Sequence, residues 1–151
     1  MSTVQMGDLL YEYTVSFTGM TDYGVRLDAL MGGAAAPPPE GARFDVAFEG
    51  VSIGPKLRGK VTGVDHLTVR ADGRFQLHIH AAIATDDGAR IALFADGVAV
   101  PREGSNIAEL RENVTLSTSS RDYAWVNRLQ IWAIGTVDLA AQVVQIKGYS
   151  A

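Results

Sequence analysis

Three histidines and one aspartate are the residues whose types and spacing point most directly to chemistry. All three histidines lie between Val64 and Gly97, in the run VDHLTVRADGRFQLHIHAAIATDDGARIALFADG. His78 and His80 are separated by one residue, and Asp65 lies in the run that precedes them. An imidazole beside a carboxylate can act as a general acid or base near neutral pH. This stretch is therefore the first candidate for a functional site.

Two tight turns position these side chains in a predicted antiparallel meander of three strands. Asp72-Gly73 separates two alternating runs, which indicates a two-residue type I′ hairpin turn. That turn sets Asp65 opposite His80, and directly opposed residues are about 4.5–5.5 Å apart at Cβ. The other face of the second strand carries an apolar stripe of period two that is typical of a core-facing strand. The stripe consists of Phe75, Leu77, Ile79, Ala81 and Ile83.

The second turn, Asp86-Asp87-Gly88, admits two registers. A two-residue loop mixes the apolar and polar faces of the flanking strands. A three-residue loop that ends in the glycine sets Ile83 opposite Ile91 and His80 opposite Phe94. Because a one-residue slip moves every side chain to the other face, we predict the three-residue loop.

Length and composition exclude several classes of function. A chain of 151 residues is long enough for one domain with a sizeable core. The net charge of −4 argues against nucleic acid as a partner. No apolar run approaches the roughly 20 residues of a membrane span, and the first residues lack the pattern of a secretory signal. There is no cysteine for disulfide or thiolate chemistry. We therefore expect a cytoplasmic protein without membrane or nucleic-acid partners.

The rest of the chain predicts short strands separated by turn residues, with little helix. Regular spacing of such strands indicates an all-β sandwich or barrel, and a barrel leaves fewer apolar edges to protect. The proline-rich segment Met31–Pro39 is predicted to be a flap at the barrel mouth, and Ile107–Arg111 a single helical turn. Further predicted strands are Asp8–Phe17, Tyr23–Leu30, Arg43–Glu49 (ended by a turn at Gly50), Lys56–Thr62, Val114–Thr118, Tyr123–Ile134 and Gln142–Tyr149.

Several motifs resemble one family when they are taken together in their order. They are Leu57-Arg58-Gly59-Lys60-Val61, Gly63-Val64-Asp65, Asp72-Gly73, Thr85-Asp86-Asp87-Gly88-Ala89 and Tyr123-Ala124-Trp125-Val126-Asn127. This set resembles the small bacterial and fungal β-barrel proteins catalogued as domain of unknown function thirty-two thirty-seven. The likeness covers most of the chain after about Arg43. The resemblance implies an antiparallel barrel that often forms oligomers, and it implies no established activity.

The resemblance also marks two departures. The family usually has an aromatic residue where this chain has His66 and an arginine where it has His80. An Asp–Arg pair implied by the family would therefore be an Asp65–His80 pair here. Arginine stays charged, whereas histidine titrates near neutrality. The pair is then either a cross-strand polar contact contributing about 0.2–1 kcal/mol or a catalytic acid–base pair.

A metal site is a weaker hypothesis for the His78-Ile79-His80 strand. Two imidazoles on one face occur in metal-binding barrels, but here no carboxylate follows within a few residues. The predicted register points His66 to the other face, so a third protein ligand is missing. We therefore expect no metal and no other cofactor.

Aromatic and amide side chains complete the predicted site. Tyr123, Trp125 and Asn127 share one face of a predicted strand, where they are either core residues or part of a pocket. We predict that these three residues, together with His78 and Phe94, contact a small organic ligand, and that Asp65 and His80 move protons.

The sequence therefore predicts an all-β, single-domain antiparallel β-barrel over residues 1–151. Its type is expected to be a calycin-like or allene-oxide-cyclase-like up-and-down barrel. The first hypothesis for its function is a cofactor-independent lyase, isomerase or cyclase. The alternatives are a calycin-like carrier, in which the same residues only hold the ligand, and an oligomerising structural barrel.

We also predict a homo-oligomer, most simply a dimer, because half-apolar strands such as Val143–Tyr149 carry more apolar surface than one small barrel covers. Light scattering at micromolar concentration should give at least twice the 16.1 kDa mass of one chain. A monomer mass at that concentration would contradict the prediction.

Overall fold

The chain forms a closed antiparallel β-barrel in the computed structural model, which describes residue 3 and residues 5–151. Each strand pairs with its neighbours in sequence, and the first pairs with the last to close the barrel. The predicted all-β, up-and-down antiparallel barrel is confirmed. Its strands are β1 (Leu9–Asp22), β2 (Ala42–Pro55), β3 (Arg58–Val69), β4 (Phe75–Thr85), β5 (Arg90–Pro101), β6 (Ile107–Ser117), β7 (Ile131–Asp138) and β8 (Val143–Ser150).

Two short helices lie at opposite ends of the barrel. Helix α1 (Leu27–Met31) connects the end of β1 to the start of β2, and it buries Leu27 and Leu30. The 3-10 helix Arg121–Arg128 connects the end of β6 to the start of β7. Because successive strands run in opposite directions, the ends of β1 and β6 are at opposite ends of the barrel. Among the described residues, no helix has both the length and the apolar character needed to cross a membrane.

Alternate residues of each strand form the core. On β4 the side chains of Phe75, Leu77 and Ile79 are buried, while His78 and His80 between and beyond them are exposed. The predicted apolar stripe therefore faces the barrel interior. Full burial of one such side chain contributes about 1.5–3 kcal/mol, so a slip that exposed the stripe would be strongly unfavourable.

The turn between β3 and β4 has three residues, whereas the sequence predicted two. The Arg70 N–H donates to the Arg74 carbonyl at 2.8 Å, which leaves Ala71, Asp72 and Gly73 in the loop. Gly73 has a φ of 87°, and Asp72 is not among the residues with positive φ. A type I′ turn needs positive φ at both central residues, so this turn is instead a three-residue loop that ends in a left-handed glycine.

This extra loop residue shifts the β3–β4 register by one position. Asp65 pairs with Ile79, and Val64 pairs with His80. The predicted cross-strand pairing of Asp65 with His80 is wrong. Asp65 lies opposite Ile79, and both side chains point to the inside of the barrel. The second turn follows the prediction, with Ile83 opposite Ile91.

Four other segments differ from the predicted strands and turns. Tyr23–Leu30 is a bend that leads into α1, and Tyr123–Ile134 is the 3-10 helix followed by the start of β7. Ile107–Arg111 is the first half of β6, where a helical turn was predicted. Gly50 lies within β2, where a turn was predicted. At Ile107–Arg111 and Gly50, pairing with the neighbouring strands overrides the local pattern, whereas Tyr23–Leu30 and the 3-10 helix are connections between strands.

Gly148 of β8 fits the barrel because it has no side chain. It pairs with Tyr11 of β1, whose ring is fully buried. A Cβ atom at position 148 would lie 2.2 Å from the Tyr11 Cζ atom. The ring is enclosed by the core and has little room to withdraw.

Replacing Gly148 with Ala should therefore lower the free energy of unfolding by about 1–3 kcal/mol, the usual cost of overpacking a core. Urea unfolding followed by circular dichroism would measure the change. Gly19→Ala is the matched control, since a Cβ there meets nothing within 4 Å and Gly19 does not have positive φ. Equal stability of the two variants would contradict the packing argument.

Candidate functional site

A cavity of about 60 Å³ lies inside the barrel, and side chains from all eight strands line it. Leu27 of α1 and Leu139, which follows β7, also contribute to its wall. The lining is mainly aliphatic and aromatic. Asp65 and Glu112 place two carboxyl groups in this apolar surface, and Tyr13 adds a phenol. Ionisable groups in such surroundings have strongly altered acidity.

Asp65 reaches the cavity because it lies on the inner face of β3, in step with the buried Leu67 and Val69. Its Oδ1 atom accepts a hydrogen bond from the His78 N–H at 2.9 Å, across to β4. Burial raises the pKa of Asp65 to about 6, and the hydrogen bond from the His78 N–H opposes part of this rise. The carboxyl group is thus anchored through one oxygen and is less acidic than a solvated aspartate.

Glu112 lies on the inner face of β6 and is only 5% exposed. Its Oε1 atom is buried without a hydrogen-bond partner among the described residues. Burial, together with a smaller effect of the negative charge of Asp65, raises the pKa of Glu112 to about 8. A buried polar atom without a partner costs free energy, so a protonated carboxyl is the favoured form at neutral pH.

The sequence analysis missed Glu112, although the sequence contains a signal for it. Residues 107–111 were predicted to be a helical turn, which divided β6 into two parts. A single strand over the whole segment places the glutamate in the middle of an apolar face. That face consists of Ala108, Leu110, Glu112, Val114 and Leu116.

Two tyrosines of β1 accompany the carboxyl groups. The rings of Tyr11 and Tyr13 are stacked, with their centroids 5.6 Å apart and their planes 12° from parallel. Burial raises the pKa of both phenols well above the ordinary value, and Glu112 adds to the effect. Both phenols therefore remain protonated and can donate hydrogen bonds. The Tyr11 hydroxyl is itself buried without a partner among the described residues.

The three histidines lie together on the outside of the barrel. His66 was predicted to face away from His78 and His80, and this is wrong for the same reason as the β3–β4 register. The ring centroids of His78 and His80 are 5.1 Å apart, and that of His66 lies 6.2 Å and 5.9 Å from them. Phe94 packs edge-on against His78 and His80. None of these four side chains lines the interior cavity.

The remaining predicted ligand-binding residues belong to the 3-10 helix at the other end of the barrel. The Tyr123 hydroxyl donates to Asp87 Oδ2 at 2.8 Å. Asn127 accepts from the Thr118 N–H at 2.8 Å and donates to the Thr118 carbonyl at 2.9 Å. Trp125 packs against the core. These contacts hold the helix against the barrel, and Asp65 alone of the predicted site residues lines the cavity.

Comparison with known proteins gives one family and several structures of the same fold. The sequence profile described as "Protein of unknown function (DUF3237)" matches residues 25–151. No curated protein matches the chain significantly.

Three solved structures illustrate the likeness. One is a protein of unknown function from Clostridium acetobutylicum ATCC 824, with 24% identity, coverage of 95% of this chain and 96% of that chain, and a TM-score of 0.77. A beta-barrel like protein from Acinetobacter baumannii AYE has 20% identity, coverage of 99% and 97%, and a TM-score of 0.76. An enzyme from Penicillium herquei has 20% identity, coverage of 99% and 98%, and a TM-score of 0.60. At these identities the likeness concerns the fold.

Replacing Glu112 with Gln should reduce the dependence of stability on pH. An unfolded glutamate has a pKa of 4.5, whereas burial raises the folded pKa of Glu112 to about 8. The stability contributed by the protonated form is fully present below the unfolded pKa and is lost as pH rises to the folded pKa. A pKa difference of one corresponds to about 1.4 kcal/mol, so the loss in the wild type is on the order of a few kcal/mol.

Urea unfolding at a series of pH values between about 5 and 8 would measure this slope, since both pKa values bound the window. The control is Glu103→Gln, which removes an exposed carboxylate from the loop between β5 and β6. It should keep the wild-type slope. If Glu112→Gln kept that slope as well, Glu112 would not be the buried group that titrates.

Proposed function

This chain belongs to the family described as protein of unknown function (DUF3237), and we propose that it is a cofactor-independent acid–base enzyme of the lyase, isomerase or cyclase type. The observation that supports this proposal is the pair of carboxyl groups in one apolar cavity. Their pKa values are raised to about 6 and about 8, on either side of neutrality. Pairs of groups whose environments separate their pKa values in this way are typical of acid–base catalysis.

The two carboxyl groups would have opposite roles. At pH 7 Asp65 is mostly ionised and is the proposed general base, while Glu112 is mostly protonated and is the proposed general acid. The hydrogen bond from the His78 N–H fixes one oxygen of Asp65 and so orients the carboxylate. The Tyr13 phenol, which also lines the cavity, is a further donor for a substrate oxygen. Proton transfer by positioned groups of this kind contributes about 10²–10⁴-fold to a rate.

The cavity favours a small, neutral and mainly apolar organic substrate. Its wall is largely apolar, and an anion would meet the negative charge of Asp65 in a medium of low polarity. A volume of about 60 Å³ holds a few water molecules. A larger substrate therefore requires the interior to widen. We propose entry at the α1 end, where Leu27 forms part of the wall.

A carrier would use the same cavity for its shape alone. Such a protein has no need of a glutamate in the barrel core whose Oε1 atom has no hydrogen-bond partner among the described residues, because that group costs stability at neutral pH. The description of the Penicillium herquei protein of this fold as an enzyme also supports catalysis over transport.

The test is proton exchange on neutral carbonyl compounds with an acidic α C–H bond. Mass spectrometry would follow deuterium uptake from D₂O. Chromatography would detect the products of elimination, isomerisation or cyclisation. We expect a rate that rises through about pH 6 and falls above about pH 8. Asp65→Asn and Glu112→Gln should each lower the rate at least about a hundredfold. Asp86→Asn and Glu103→Gln, which remove exposed carboxylates, are the matched controls and should retain the wild-type rate.

Two results would overturn this proposal. If Asp65→Asn and Glu112→Gln retained full activity, the carboxyl groups would not be the catalysts. If compounds of the panel bound inside the barrel, as judged by shifts of core methyl resonances, without any turnover, the carrier alternative would replace the enzyme.

A further inference from the structure

The outer face of β3 and β4 carries a second cluster of functional side chains, separate from the interior carboxyl groups. His78 and His80 project from β4 on this face, with their Nε2 atoms 3.4 Å apart. Two nitrogens bound to one zinc ion at 2.0–2.1 Å in a tetrahedral arrangement are about 3.3–3.4 Å apart. The two imidazoles are thus already spaced as ligands of a single ion.

The observed register adds His66 to this pair. Val64 pairs with His80 and Thr68 with Gln76, so His66 lies on β3 directly across from His78. The sequence-based argument against a metal depended on His66 facing the opposite side of the sheet. The structure places three imidazoles on one face, which is the number of protein ligands that an open zinc site uses.

Asp45 of β2 supplies the support that a metal-binding histidine usually has. Its Oδ1 atom lies 2.8 Å from His66 Nδ1. Asp45 also accepts hydrogen bonds from the Tyr23 hydroxyl and from Arg43 Nη2, which fix the carboxylate beside His66. Arg43 Nη2 lies 3.1 Å from the same His66 Nδ1 atom, so Asp45 and Arg43 both hold this side of the ring and Nε2 is the candidate ligand atom. A carboxylate behind the imidazole is the common arrangement in metal sites.

Two features of the cluster define what must change when a metal binds. In residue 3 and residues 5–151, no group of three or more His, Cys, Asp or Glu side chains is arranged to hold a metal ion as it stands. The centroid of the His66 ring lies 6.2 Å from that of His78 and 5.9 Å from that of His80, whereas the His78 and His80 centroids are 5.1 Å apart. His66 is thus 0.8–1.1 Å farther from the other two rings than they are from each other. The site therefore needs His66 to move toward its neighbours. The nearby Arg43 is paired with Asp45 at 3.0 Å, which offsets its positive charge.

We propose that His66, His78 and His80 form a surface site for a divalent transition-metal ion, with Asp45 as the residue that positions His66. Three imidazoles suit zinc, copper or nickel, and zinc matches the nitrogen spacing of His78 and His80. The site is independent of the proposed function, since the metal is held on the outside of the barrel wall and the carboxyl groups are inside it.

The test is metal titration of protein from which any affinity tag has been removed. Zinc affinity would be measured by competition with a chromogenic chelator, and geometry by the visible spectrum of added cobalt. We expect one ion per chain. His66→Ala, His78→Ala and His80→Ala should each raise the dissociation constant about a hundredfold or more, and Asp45→Asn about 10–100-fold. Gln76→Ala is the matched control, because Gln76 is exposed on the same face of β4 beside His78 and should leave affinity within about threefold.

A readout on the wild type guards against misfolded variants. Zinc should shift the imidazole nitrogen resonances of all three histidines. Absence of stoichiometric zinc binding at about millimolar concentration, far weaker than structural zinc sites, would overturn the proposal. It would equally be overturned if His66→Ala bound zinc as well as the wild type, or if the His66 resonances did not respond.

Discussion

Both proposed sites depend on the β3–β4 register, which brings the His78 N–H to the Asp65 carboxylate in a hydrogen bond. This hydrogen bond joins β3 to β4 at the point where one strand contributes its inner side chain and the other its backbone. The three-residue turn at Ala71–Gly73 sets the register that makes this contact available. With the register fixed, Asp65 lies in the cavity, and the His78 side chain lies on the opposite surface. A slip of β3 by one residue would move Asp65 from the cavity to the outer surface.

The closed barrel keeps two kinds of polar chemistry apart although they are separated by a single layer of backbone. Inside, Glu112 and Asp65 lie among apolar side chains, where ionisation is costly and the pKa values of carboxyl groups rise. Outside, Asp45 receives hydrogen bonds from charged and polar neighbours, and its pKa falls. The pKa of an aspartate is thus raised on the inner face, at Asp65, and lowered on the outer face, at Asp45. The difference comes from strand parity together with the partners that each face provides.

The fold could be predicted from strand patterns, but the site depended on details that the patterns do not determine. Alternation of apolar residues on β4 correctly indicated the core face, and Gly88 correctly indicated the second loop. The Asp72-Gly73 sequence is compatible with a two-residue loop and with a three-residue loop. The two loops differ in the φ angle of Asp72, which must be positive in the two-residue type I′ turn. The length of this loop determines whether Asp65 pairs with His80 or with Ile79. Glu112 was overlooked because the helical turn predicted over residues 107–111 left it between two predicted elements instead of within one strand.

Closure of the barrel by β1 and β8 has a consequence for how the chain acquires its structure. The Asp8 N–H donates to the Ser150 hydroxyl, a contact between residues 142 positions apart. Pairs so distant in sequence form late, since loop-closure entropy must be met before they contribute. During synthesis β1 therefore has an unpaired edge until β8 has left the ribosome. The barrel wall is a ring completed by its last strand, and a nascent chain is exposed to strand exchange with other copies for most of its synthesis.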